Sequence, residues 1–159
     1  MTVRDVEAIE HYAARAGFEY VVCSAPVAYR EDLDAGNREM MAKVADRPRL
    51  LGSPVMSPTH VEASVRWVDR CAQDPKLGHV TWDPDNEGEA YGSEKYMALW
   101  AEVAKRGVPV FWNAGSQDLE RNVRWEKKLG YMPKIRGGSR AEIAMFFEVG
   151  RRHPDLQVI

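Results

Sequence analysis

Residues 107–115 read Gly-Val-Pro-Val-Phe-Trp-Asn-Ala-Gly, a short apolar run that ends in a polar side chain, Asn113. In an alternating β/α chain, a buried parallel strand delivers such a residue to its C-terminal tip, where barrel enzymes place their chemistry. An amide oxygen there can orient a substrate or ligate a hard cation. It is a poorer ligand than imidazole for zinc. The structural alternative is a tip amide that satisfies loop backbone groups. A second polar tip is Trp82-Asp83-Pro84-Asp85. Asp83 or Asp85 can orient substrate or transfer a proton, although Asx-Pro is equally a turn signal. Trp82 and Trp112, at neighbouring tips, can wall an apolar pocket or pack between layers.

Other reactive residue types lack the spacing that chemistry needs. His79 falls near the start of its strand, where packing is the expected role. His11 and His60 fall on helix surfaces or caps and His153 in a turn, none within ligand spacing of another. No His-x-His, His-Glu-x-x-His or Cys-x-x-Cys occurs. Ser24, in Cys23-Ser24-Ala25-Pro26, lacks the glycines of a nucleophile elbow. Cys23 and Cys71 read as free thiols of a reducing cytoplasm. Lys127-Lys128 and Arg136–Arg140 lie in a long polar segment, 116–138, which is either a solvated loop or a substrate lid.

The elements that must position these residues alternate helix and strand. Val6, Ile9, Ala13 and Ala16 recur at helical spacing, with Thr2 as candidate cap and Gly17 as stop. Residues 19–25 form a strand. A loop and a helix over about 33–45 follow, with Met40, Met41 and Val44 inward. Leu50–Met56 is the second strand, interrupted by Pro54. Thr59 and Glu62 have capping-box spacing ahead of a stripe of Val61, Val65, Val68 and Ala72. Residues 77–82 are a third strand. A helix over 94–106, capped by Ser93, carries Met97, Trp100, Val103 and Ala104, and strand Pro109–Asn113 follows it. A short helix is expected at 118–129. Ser139 and Glu142 open a last helix with Ile143, Phe146, Phe147 and Val149 on its face. Pro154 stops it, and Leu156–Ile159 begins a fifth strand.

The 159 residues are 45% apolar and 29% charged with a net charge of −2, which fits one globular domain over 1–159. Scattered Lys and Arg give no footprint for nucleic acid. No apolar run approaches the roughly 18 residues of a membrane span. Short apolar strands linked by amphipathic helices imply right-handed βαβ units on a parallel sheet. A doubly wound sheet would need a Gly-rich phosphate loop after strand one, and none is present. A (β/α)8 barrel needs eight strands, whereas five are legible here.

Several passages decide in favour of the barrel. Gly36-Asn37-Arg38-Glu39-Met40, Arg47–Pro58, Leu77–Pro84, Gly92–Gly115 and Arg151-Arg-His-Pro-Asp-Leu-Gln-Val-Ile159 resemble, in order and spacing, the amidohydrolase-related (amidohydrolase 2) family of metal-dependent hydrolases and decarboxylases. The family segments are a helix beginning with Asn, a Pro-x-Arg turn, a Leu-Pro-Val-x-x-His-x-Gly strand and a His/Phe-Pro-Asp-Leu turn. The resemblance implies an incomplete TIM-type barrel made of barrel strands two to six. The His-x-His pair of strand one would lie before Met1, and the metal-binding Asp of strand eight after Ile159.

Asn113 stands where the family has a metal-binding His, so no complete metal set is expected in this chain. The family implies a divalent metal, zinc first, and a small-molecule substrate, carboxylated or cyclic, that is hydrolysed or decarboxylated. The alternative is a degenerate barrel relative that binds a ligand without metal, and a fragment without function is a third reading. A cytoplasmic location is expected, with no nucleic-acid or membrane partner. Open strand edges favour a homo-oligomer.

Overall fold

The computed structural model describes residues 5–57, 59–82, 94–112 and 147–159. Asp5 caps α1 (Val6–Ala16) by accepting from the Ala8 N–H at 2.9 Å, so the start is set three residues later than Thr2 would set it. Gly17 ends the helix in the left-handed region, φ 75°. Ile9 and Ala13 are buried whereas Ala16 is exposed, because the stripe leaves the core at the last turn.

Strand β1 (Val21–Cys23) leads into a short helix, α2 (Pro26–Arg30), where a loop was expected; Pro26 at its first position presets the helical φ. Helix α3 (Leu33–Val44) is capped by Asp32, whose carboxylate accepts from the Ala35 N–H. It therefore begins before Asn37, which lies in the second turn rather than at the start. Gly36 permits the α2–α3 crossing: a Cβ there would lie 2.1 Å from the Ala28 nitrogen. Met40 and Val44 are buried, as the spacing predicts.

The expected strand over 50–56 divides into β2 (Leu50–Gly52) and β3 (Val55–Met56). Pro54 is the reason, since it has no N–H to donate. Helix α4 (Val61–Gln73) is capped at His60, one residue beyond the capping-box position. Its buried face is Ser64, Trp67, Val68 and Cys71; Ala72 is exposed and Val61 and Val65 are half-buried. Strand β4 (Val80–Trp82), helix α5 (Glu94–Arg106) and β5 (Val110–Trp112) follow. Residues 147–152 are helical, with Val149 buried but Phe147 exposed. The caps at Thr2 and Ser93, the helix at 118–129, the Ser139–Glu142 capping box, Ile143 and Phe146 lie outside the described residues.

All pairings are parallel. β1 pairs with β2, β3 with β4, and β4 with β5; bridges join Gly52 to Leu77 and Val110 to Val158. Each segment thus lies beside its sequence neighbours, with no reversal of order among the described residues. A doubly wound sheet must reverse at its switch point, whereas a barrel is wound in this sequential way. The fold is α/β, a run of parallel β/α units forming part of a TIM-type barrel. Met40, Leu50, Val68, Val80, Trp82, Trp100 and Val103 fill the core between sheet and helices. Among the described residues no helix is long and apolar enough to cross a membrane.

Candidate functional site

The register assigns side chains to the two faces of the sheet. Trp82 is fully buried and its ring lies 4.5 Å from that of Trp100 on α5, so Trp82 and Val80 face the helices. By the period of two, Thr81 points to the opposite face. Thr81 is the cross-strand partner of Phe111, which is 41% exposed, and the His79 ring lies 5.7 Å from Phe111. In a barrel the face away from the helices is the interior.

That face carries hydroxyl groups beside Val55 and Phe111, the apolar register partners of Thr81. The Ser53 and Thr81 hydroxyls, on the β2–β3 connection and on β4, are 2.6 Å apart, and both residues are nearly inaccessible. Cys23 pairs with Gly52, where a Cβ would strike Met40 of α3 at 2.3 Å, so Cys23 faces the helices and Ser24 the interior. The Ser24 hydroxyl meets the Tyr29 hydroxyl on α2 at 2.7 Å. Neither Ser53 nor Thr81 attracts notice as a motif. The signal in the sequence is a hydroxyl residue alternating with apolar ones: Leu51-Gly52-Ser53 and Val80-Thr81-Trp82.

At the tip of β3, Ser57 Oγ meets Thr59 Oγ1 at 2.8 Å, and Thr59 Oγ1 meets His60 Nδ1 at 2.9 Å. The Ser57 N–H donates to Ser64 Oγ, which donates back to the Ser57 carbonyl. These contacts close the entrance to α4 and account for Thr59 without a capping box.

Of the residues singled out by sequence, the structure gives Trp82 a packing position against α5, away from the interior face. Trp112 is described by its backbone, paired with Trp82 in register. Asp83, Asp85 and Asn113 lie outside the described residues, as do Lys127-Lys128 and Arg136–Arg140. His79 is half-buried ahead of β4, and burial pushes its imidazole below the ordinary histidine value. His11 and His60 are exposed. Both cysteines are buried and free. Burial raises both thiols, Cys71 to about 12, so neither is a ready nucleophile.

Among the described residues no group of three His, Cys, Asp or Glu side chains could hold a metal ion. The described polar groups on the interior face are the neutral hydroxyls of Ser24, Ser53 and Thr81 and the single imidazole of His79, which together do not make the ligand set of a divalent cation.

No family model matches the chain, and no curated protein matches it in sequence. Solved structures do match. A 2,6-dihydroxybenzoate decarboxylase from Rhizobium superimposes with TM-score 0.71 at 16% identity, covering 96% of this chain and 54% of its own. A dihydroxybenzoic acid decarboxylase from Polaromonas sp. JS666, with bound manganese and the inhibitor 2-nitroresorcinol, gives 0.70 at 13% identity, covering 96% and 52%. A candidate amidohydrolase from Staphylococcus aureus gives 0.63 at 12% identity, covering 99% and 63%. This chain has their fold. It spans about half the length of these decarboxylases. At such low identity the likeness to these barrels extends to the path of the chain and not to their site residues.

Proposed function

We propose that the chain supplies strands two to six of an amidohydrolase-related barrel enzyme. The whole enzyme acts on a small carboxylated or cyclic substrate, by decarboxylation or hydrolysis, with a divalent metal. The observation that carries this reading is the sequential parallel strand order of the described residues, supported by a superposition on a dihydroxybenzoate decarboxylase that covers 96% of the chain. Manganese in one such barrel supports a divalent metal without favouring zinc. The chemistry of a bound divalent ion would be polarisation of the substrate or activation of water. The residues of this chain proposed for the chamber are the polar groups Asn113, Asp83 and Asp85; Trp112, the register partner of Trp82, falls on the helix side of the sheet.

A second reading rests on Asn113. An amide where the resembling family has imidazole favours a barrel relative that binds its ligand without metal. The two separate on one experiment with the chain expressed together with its flanking coding sequence. Carbon dioxide release from 2,6-dihydroxybenzoate is measured with and without added manganese or zinc, before and after Asn113→Ala. Metal-dependent turnover that Asn113→Ala impairs, at unchanged melting temperature, supports the enzyme. Ligand binding that is indifferent to chelation, with no turnover, supports the second reading.

A further inference from the structure

We propose that Ser53 and Thr81 form a hydrogen-bonding site on the interior face of the sheet that takes an oxygen of a small carboxylate ligand, an inference that rests on the substrate class proposed above. A barrel interior is ordinarily filled by branched apolar side chains in layers. Here Ser53, in the connection between β2 and β3, and Thr81 of β4 place their hydroxyls side by side, with Ser53 2% and Thr81 4% exposed. A third hydroxyl, Ser24, stands just past the end of β1, beside Ser53, whose N–H donates to the Cys23 carbonyl at 2.8 Å.

The hydrogen count points to a ligand. Ser53 and Thr81 carry one hydroxyl hydrogen each, and their 2.6 Å contact uses one of them. Among the described residues neither oxygen has another hydrogen-bond partner, so one buried donor of the pair is unsatisfied. Leaving such a donor unmade is unfavourable, and an acceptor oxygen from outside the pair removes the penalty. The pair faces the side on which Phe111 is exposed, so an aromatic or cyclic ligand can rest on the Phe111 ring while its carboxylate accepts from the pair. Ser24 has its hydroxyl engaged by Tyr29 and borders the site.

The test uses the whole 159-residue chain, labelled with nitrogen-15 and titrated with 2,6-dihydroxybenzoate without metal. Saturable shifts of the Ser53, Thr81 and Phe111 amides are expected. Ser53→Ala and Thr81→Val should each weaken binding about tenfold, whereas Thr81→Ser should retain it because the hydroxyl remains. Ser64→Ala, which removes a buried hydroxyl on α4 away from this face, controls for general loosening and should leave affinity unchanged. No saturable shift, shifts that map elsewhere, or affinity unchanged from the native chain in both Ser53→Ala and Thr81→Val overturns the site. Binding with these properties but no turnover under any metal leaves the site standing and defeats the enzyme reading. Turnover unaffected by both substitutions does the reverse.

Discussion

Asn37 acts as a surrogate strand for Val55. Its side-chain oxygen accepts from the Val55 N–H at 2.8 Å, and its amide nitrogen donates to the Val55 carbonyl at 3.0 Å. Asn37 is fully buried in the second turn of α3. The reason lies in where β1 stops. Ser53 still donates to the Cys23 carbonyl, but two residues on, Val55 turns the same backbone edge toward a strand that has ended. A carboxamide, with one donor and one acceptor in a plane, is the side-chain group that can replace the missing peptide.

Asn37→Leu should therefore destabilise the protein by about 2–5 kcal/mol, since both groups of the buried Val55 peptide edge lose their partner. Asn37→Asp should also be costly: the carboxylate can accept from the Val55 N–H but faces the Val55 carbonyl without a donor. Urea unfolding gives the loss, and amide exchange gives its place. The Val55 amide should lose protection in both variants beyond the change in global stability.

Glycine-to-alanine substitutions should have opposite signs at two helical positions. Gly36→Ala puts a methyl into the backbone of Ala28, and a loss of about 1–3 kcal/mol is expected despite alanine's better helix propensity. Gly150, in the helical residues 147–152, has nothing within 4 Å of a would-be Cβ, so Gly150→Ala should gain about 0.5–1 kcal/mol. Melting of the pair in one buffer checks both signs.

Acid should loosen the joint between α3 and α4 through Asp34. The Trp67 Nε1–H donates to its carboxylate at 2.7 Å and Arg66 at 3.0 Å, which hold the carboxyl below the ordinary aspartate value. A carboxyl lowered on folding contributes stability above its unfolded pKa, about 3.9, and loses it as pH falls through the folded value. The native chain should thus lose stability below about pH 4 more steeply than Asp34→Asn, which keeps an acceptor for Trp67 and has no charge to titrate. Denaturant midpoints from pH 7 to pH 3 decide it. Parallel curves would remove Asp34 from the acid response.

The sequence by itself determined most of the order of elements, because amphipathic period and turn residues are local signals, while the barrel class came from the resemblance of its passages to the amidohydrolase-related family. Val6, Ile9 and Ala13, or Met97, Trp100 and Val103, mark their helices through spacing alone, and Pro54 marks the break in its strand. It also determined which metal motifs the chain lacks. Only the tertiary structure decided what depends on neighbours distant along the chain. Trp82 has the same identity on either face of a strand; its place against Trp100 follows from register with β5 and the seat of α5. Asn37, inside a helix, reads as a poor helix former until the end of β1 leaves Val55 in need of it. Ser53 and Thr81 are 28 residues apart, and only the packing of the β2–β3 connection against β4 brings their hydroxyls together.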